Sequence, residues 1–300
     1  MSLLVTGGRG LVGSAIQADL KPTHAELELM DLDAVETYLK ANNVSKIIHC
    51  AAKVGGIKAN MDQLGAFFYA NTIINTNVLE GARRAGVEKV VSFMSTCVFP
   101  DDATYPLSPD QVHNGEPHPS NYAYAYAKRM LDVQSRAYRD QYGCNFVTVI
   151  PCNIYGPHDN YDLENSHVIP ALIRKCETAI KDNTDFVIWG SGKPWREFMY
   201  SGDVAEVATW VLNNYDSPIP FIMSPDEEVQ IATIAQSIAM VMGFNGSIVY
   251  DNSYPDGQLK KPSDNSVLKT CMPNFEFTSI QDGLTKAIDW YKENKKDIRS

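Results

Sequence analysis

"SLLVTGGRGLVG", residues 2–13, decides the fold. A short apolar run ends in glycine, and Gly7, Gly10 and Gly13 follow at three-residue intervals. The run suits a buried parallel strand, and "LVGSAIQADL", residues 11–20, then has helical spacing. Glycines at a strand-to-helix junction let the backbone turn tightly and approach a pyrophosphate, whose charge then sits on the helix N-terminus. Turn glycines are common, and the position at this junction is what makes Gly7, Gly8, Arg9, Gly10, Leu11, Val12 and Gly13 a candidate dinucleotide loop.

The same alternation continues along the chain. A weakly marked strand is expected near "PTHAELEL" (22–29), a helix at "AVETYLKANN" (34–43) and a strand at "KIIHCAA" (46–52). A long helix, "NTIINTNVLEGARRAG" (71–86), precedes a strand, "VEKVVSFMST" (87–96). A further helix runs to Gly143, and "NFVTVIP" (145–151) reads as a strand. Strands alternating with helices imply a doubly wound parallel α/β sheet of the Rossmann type. After Pro157 the pattern loosens into loops rich in Asn, Asp, Gly and Pro. "DVAEVATWVLNN" (203–214) and "IATIAQSIAMVMG" (231–243) are amphipathic helices, "SIVYD" (247–251) a strand and "SIQDGLTKAIDWYKEN" (279–294) a capped helix. The expected division is a dinucleotide-binding domain over 1–156, joined by about 197–215, with a smaller interleaved α/β substrate domain over 157–196 and 216–300.

Composition narrows the partners. Of 300 residues, 44% are apolar and 21% charged, the balance of a globular protein. The net charge of -10 argues against nucleic acid as a partner of the whole chain, but local basic residues can still hold an anionic small molecule. No apolar run reaches the ~18 residues of a membrane span. The start lacks a basic flank, an h-region and a cleavage site, so no secretory signal is expected. Cys50, Cys97, Cys144, Cys152, Cys176 and Cys271 form no C-x-x-C pair and no grouping with histidine. Free thiols in a reducing cytoplasm and no metal site are the expectation.

Catalysis is suggested by "NYAYAYAKRM", residues 121–130. A helix turns about 100° per residue, so Tyr124 lies about 40° from Lys128, Tyr126 about 200° away and Tyr122 about 120° off. Tyr124 is therefore the tyrosine that can work with Lys128. A neighbouring lysine favours phenolate, bringing a group with a usual pKa of about 10 closer to operating pH. Such a tyrosine can give a proton to a carbonyl oxygen while hydride reaches the carbon. Tyr122 and Tyr126 read as packing or loop contacts. Upstream, "FMSTCVFP" (93–100) places Ser95 at the carboxyl edge of a strand, where ligands bind in such sheets and where a hydroxyl can support the same oxygen.

A glycine loop, a serine at a strand end and Y-x-x-x-K together resemble the extended short-chain dehydrogenase/reductase superfamily. "HCAAKVGGIKAN" (49–60), "STCVFP" (95–100), "NYAYAYAK" (121–128), "PCNIYGPHDN" (151–160), "SHVIPALIRK" (166–175) and "WGSGKPWREF" (189–198) occur in order over nearly the whole chain. Within the superfamily they resemble the GDP-L-fucose synthase family. The resemblance implies a cytoplasmic homodimer that uses NADP(H). It implies 3,5-epimerisation and then 4-reduction of a GDP-4-keto-6-deoxy-D-mannose. Ser95, Tyr124 and Lys128 take the reductase roles, with Lys128 also on the nicotinamide ribose. Cys97 is the base and His167 the acid of epimerisation, because inverting carbons beside a ketone needs proton removal on one face and return on the other. Pro151, Cys152, Asn153 and Ile154, with His167, would lie against the cofactor. Lys175, Trp189, Arg196, Asp256 and Lys261 would contact the GDP-sugar.

Three points stay open on the residues. Arg9 either pairs with a 2′-phosphate, favouring NADP, or is a solvated loop residue; near the expected second strand stand Lys21 and His24, with Glu26 the nearest acid. Arg196 either forks onto a diphosphate or pairs with Glu197 or another acid. The family commonly has tyrosine where Phe99 stands. Two other functions compete: a related GDP-sugar enzyme acting on a 3,6-dideoxy 4-keto sugar, as in colitose synthesis, and a non-enzymatic NADP-sensing protein on the same fold.

Overall fold

A computed structural model describes residues 2–296 and 298, apart from 164, 255 and 257, and gives only the backbone at Ile57 and Lys58. The N-terminal half runs β1 (Ser2–Thr6), α1 (Leu11–Ala15), α2 (Leu32–Ala41), β2 (Val44–His49), α3 (Ile57–Asp62), α4 (Leu64–Ala85), β3 (Lys89–Phe93), α5 (Tyr122–Tyr142) and β4 (Asn145–Pro151). There follow β5 (Asn153–Tyr155), α6 (Val168–Asp182), β6 (Phe186–Trp189), β7 (Trp195–Tyr200), α7 (Ser201–Asn214), β8 (Phe221–Met223) and β9 (Glu228–Gln230). The last elements are α8 (Ile231–Met242), β10 (Ile248–Asp251), α9 (Ser266–Cys271) and α10 (Ile280–Glu293).

Five parallel strands form the main sheet in the order β1-β2-β3-β4-β8. Its strands are apolar on both sides because helices cover both faces. One face carries Leu4, Ile47, Val90 and Phe146 against Val35, Leu79 and Leu131 of α2, α4 and α5. The other carries Val5, Ile48, Val91 and Val147 against Val204, Val207 and Val211 of α7. The sheet is doubly wound, as expected from the alternation. A separate core joins α6, α8 and α10 through Ile173, Ile234, Ile238, Leu284 and Ile288. Beside it lie a parallel pair, β10-β6, and a three-stranded sheet, β5-β7-β9.

The expected strand at 22–29 does not form. Leu20 alone bridges Leu4, and Leu27 N–H donates to the Thr23 carbonyl in a turn. Pro22 has no N–H for a ladder, and the Glu26 carboxylate accepts from Thr23 N at 2.7 Å, a local bond that competes with pairing. The first helix is also shorter than its spacing suggested, because Ile16 is already extended. In contrast α6, a four-turn helix, lies where the sequence looked loosest. Both α4 and α5 stop at left-handed glycines, Gly86 and Gly143, as expected.

At the carboxyl edge of β1 and β2, His49 is buried between Thr6 Oγ1 at 2.7 Å and Asn75 Oδ1 at 3.0 Å. Asn75 in turn donates to the Ala127 carbonyl, linking α4 to α5. Burial first, and the Lys128 charge second, push the His49 pKa down to about 3. The unfolded chain therefore binds one more proton than the folded chain between about pH 6.5 and pH 3. Stability should fall by roughly 1 kcal/mol per pH unit in that window from this group. Chemical denaturation of His49→Gln against the native chain at pH 7 and pH 4.5 should show a shallower pH slope in the variant. Parallel slopes would contradict a neutral buried imidazole.

Candidate active site

The site begins at the dinucleotide loop. Gly7 has φ +68°, and its carbonyl accepts from Gly10 N at 2.9 Å, closing the turn. A Cβ at Gly13 would stand 2.3 Å from that carbonyl, so α1 approaches the loop more closely than any side chain allows. This cradle fits a pyrophosphate between the loop and the first turn of α1. Arg9 is exposed beside it. The Glu26 carboxylate is held by Thr23 and lies near enough to Arg9 to be stabilised by it. Lys21 turns inward, donating to the Ser14 carbonyl at 3.1 Å, and His24 pairs with Glu28 at 3.1 Å.

The reacting corner lies at the carboxyl ends of β3 and β4. Ser95 caps a short 3-10 turn, Thr96–Val98, and its hydroxyl accepts from Cys97 N at 3.4 Å. Lys128 crosses from α5 and donates to the Phe93 carbonyl at 2.8 Å, with its ammonium 5.8 Å from the centre of the Tyr124 ring. Phe67 of α4 packs edge-on against Tyr124, with centroids 6.3 Å apart. Arg129 fastens the turn, donating to the Val98 and Gly115 carbonyls at 2.7 Å each. Lys261 arrives from the C-terminal part of the chain and donates to the Thr96 carbonyl at 3.1 Å.

Charges here are set by burial. Burial pushes the Tyr124 phenol well above its ordinary range, and a Cys97 thiolate would push it further. Lysine does not bring this phenol down as the helix spacing suggested, because burial of the phenol itself dominates, and burial also lowers Lys128 to about 8. Tyr124 is thus a neutral acid, ready to donate. Burial also raises the Cys97 thiol, opposed by the Ser95 hydrogen bond and then by the charges of Lys261 and Lys128. Pro151 ends β4 and Asn153 begins β5, with the Asn153 amide donating to the Glu197 carbonyl at 2.9 Å. Cys152 is buried between them, its thiol pushed up by burial, and Ile154 packs beside Val5 and Met199.

The remaining expected residues divide. His167 stands just before α6 and meets Asp159, at 3.9 Å, with no described contact to the Cys97 turn. Trp189 is 52% exposed, stacked on Tyr254 at 4.3 Å and covered by the Lys175 ammonium at 3.6 Å. Arg196 is not paired with Glu197, whose carboxylate is taken by Ser263. Its guanidinium donates instead to the Trp195 and Gln258 carbonyls. Asp256 is spent on Ser191, accepting from its N–H and hydroxyl at 2.8 and 2.5 Å. Sequence reasoning missed Arg129, Asn75, Asp159 and Tyr254. Arg129 was visible as the charge next to Lys128, but nothing in its spacing tells a clamp from a solvated side chain. Among the described residues no cluster could hold a metal ion, and no helix is long and apolar enough to cross a membrane.

Comparison with known proteins bears on the same geometry. Residues 3–223 match the NAD dependent epimerase/dehydratase family. A GDP-L-fucose synthase from Dictyostelium discoideum is 44% identical over 99% of this chain and 97% of its own. A crystal structure of a GDP-L-fucose synthetase from Naegleria fowleri bound to NADP superposes with a TM-score of 0.94 at 39% identity, covering 99% of this chain and 94% of the other. A GDP-L-colitose synthase from Yersinia pseudotuberculosis is more distant, 33% identical over 98% of this chain and 99% of its own.

After the Ser95 hydrogen bond, the Lys261 charge does most to favour the Cys97 thiolate, so removing that charge should weaken the thiolate. Lys261→Met should slow alkylation of Cys97 by iodoacetamide at pH 8 roughly three- to tenfold, the range expected for a pKa rise of up to about one unit. Peptide mass spectrometry can follow Cys97 separately from the other thiols. An unchanged rate would show that the lysine charge does not reach the sulfur.

Proposed function

The chain belongs to the NAD dependent epimerase/dehydratase family, and we propose that it converts GDP-4-keto-6-deoxy-D-mannose to GDP-L-fucose with NADP(H) as cofactor. The observation that carries this reading is the meeting of two chemistries on one turn. Ser95 and Cys97 stand two residues apart beside Tyr124, Lys128 and Lys261. The likeness to the Dictyostelium and Naegleria proteins over nearly full length supports the same activity.

The 4-ketone acidifies the protons on C3 and C5 of the sugar. Cys97 removes them, its thiolate favoured by Ser95, Lys261 and Lys128, and His167 returns protons on the other face. NADPH, when bound, supplies the hydride that reduces C4. Tyr124 gives its phenolic proton to the forming alkoxide, and Ser95 donates a hydrogen bond to the same oxygen. Lys128, anchored on the Phe93 carbonyl, would hold the nicotinamide ribose. Gly7 to Gly13 would cradle the pyrophosphate, Arg9 would meet the 2′-phosphate, and Pro151 to Ile154 with His167 would lie against the nicotinamide. Lys175, Trp189 and Arg196 hold the GDP moiety, with Asp256 shaping the Ser191 turn beside them. In this reading residues 1–156 and about 197–215 form the cofactor unit, to which the chain returns again at Phe221–Met223, and 157–196 with most of 216–300 form the substrate unit. A 3,6-dideoxy substrate is the weaker alternative, since the colitose enzyme is the more distant relative.

The same reading includes a cytoplasmic homodimer. On the outer side of α4 and α5, Phe68, Met130 and Val133 are exposed, and the Gln134 amide bonds the Thr76 carbonyl between the helices. An apolar face shared by two parallel-packed helices suits a twofold partner of the same kind. Val133→Glu should shift the mass in solution, read by light scattering, from two chains to one. A single-chain mass for the native protein would refute the dimer.

Catalysis should divide at Cys97. In heavy water without NADPH, the native chain should exchange deuterium into C3 and C5 of the keto sugar, and Cys97→Ser should not. With NADPH, Cys97→Ser should release a reduced but un-epimerised sugar slowly, whereas Tyr124→Phe should exchange normally yet reduce at least a hundredfold more slowly, the scale of a lost general acid. Normal exchange in Cys97→Ser would reject Cys97 as the base.

A further inference from the structure

We propose that Asp159 positions His167, holding the imidazole by Nδ1 so that Nε2 is the edge that delivers the proton. The proposal rests on the reading of His167 as the acid of epimerisation. Asp159 lies in "GPHDN", residues 156–160, on the loop after β5, and is 4% exposed. Its Oδ1 accepts from Asn160 N at 2.7 Å and stands 3.9 Å from His167 Nδ1. Among the described residues its Oδ2 is buried with no hydrogen-bond partner. A buried carboxylate with an unused oxygen is costly unless a donor or cation answers it. Among the described residues the imidazole is the basic group within ion-pair reach of this carboxylate, through Oδ1, and a movement of about 1 Å would turn the contact into a hydrogen bond.

Among the described residues, the groups around the pair have contacts of their own. On the same loop the His158 ring lies against Trp290 of α10, at 4.6 Å, and Asp162 accepts from the Asn165 backbone and amide. From α6, the Arg174 guanidinium donates to the Tyr161 carbonyl at 3.0 Å. Tyr161 is buried against Tyr291 and Trp290, its phenol pushed up by burial and then by the Asp159 charge. Asp159 raises His167 above the usual imidazole range, while burial works against it. The imidazole is therefore held more protonated near neutral pH than a free one. In the return step the proton passes from Nε2 to the sugar carbon as the enolate electron pair closes on it. The imidazole is left neutral and takes its proton back from solvent, while Asp159 stays a carboxylate throughout.

Histidine-labelled protein followed by NMR over pH 5 to 9 tests this directly. The sequence has six histidines, so the His167 signal is assigned by its loss in His167→Asn. In the native chain the His167 midpoint should lie above about 6.5, the free-imidazole value. In Asp159→Asn it should fall by about one unit or more, and Asp159→Glu should restore most of the shift. The alkaline limb of deuterium exchange at C3 and C5 should move down in parallel in Asp159→Asn. A native midpoint at or below about 6.5, or a midpoint unmoved in Asp159→Asn, overturns the proposal. The native measurement decides even where the variant does not fold. Should His167 titrate as expected while His167→Asn exchanges normally, the pairing stands and the acid role falls.

Discussion

The hydrogen bond from Lys128 to the Phe93 carbonyl is the constraint on which the rest depends. It crosses from the middle of α5 to the last residue of β3, inside the core. A buried ammonium needs partners, and this carbonyl answers one of its protons. The bond fixes the rotation of α5, which places Tyr124 one turn earlier on the same face and Arg129 on the next position. Arg129 can then reach around to the Val98 carbonyl and pin the turn that carries Ser95 and Cys97. One polar contact at a strand end thereby sets both the acid and the base. Its loss would leave a buried ammonium without this acceptor, next to the turn that carries Ser95 and Cys97.

The network behind that contact explains why it can be buried. Asn75 bridges His49 and the Ala127 carbonyl, so α4, α5 and the edge of β2 are joined by neutral hydrogen bonds next to the lysine. A protonated His49 would repel Lys128, and its depressed pKa keeps that from happening. The corner therefore holds a neutral phenol and a thiol raised by burial beside a lysine lowered to about 8, all shifted from their ordinary values by burial. Such groups respond to small changes in their surroundings, which suits sites where protons must move both ways.

Legibility in the sequence followed the range of the interaction. The glycine loop, β4 and the helices with regular apolar spacing were readable because the information is local: Asn145–Pro151 matches its apolar run end to end, and Gly86 and Gly143 mark helix ends. The 22–29 strand was not, because a strand needs a neighbour, and the short connection with Pro22 offers none beyond Leu20. The α6 helix was hidden by Pro170, which sits in its first turn where proline is tolerated. At the site, Tyr124 and Lys128 could be paired by counting residues. Lys261 reaching Thr96 from 165 positions away, or Asp159 beneath His167, depends on tertiary packing that spacing does not encode.

A chain with net charge -10 must still attract ligands rich in phosphate, and the distribution of its cations resolves this. Elsewhere on the surface the basic residues are spent on acids: Arg83 and Arg84 on Glu80, Lys40 on Glu36, Arg139 on Asp216, Lys269 on Asp226. Around the cleft they are not. Lys175 lies on an aromatic face, while Arg196 and Lys261 donate to backbone carbonyls, each lowered by burial that more distant carboxylates such as Asp251, Asp256 and Asp101 offset only in part. Carbonyl oxygens orient these cations without neutralising them, so their charge remains for an anion that enters. On the proposed function, the charge that an anionic small ligand meets is set by where these cations stand and not by the sum of charges.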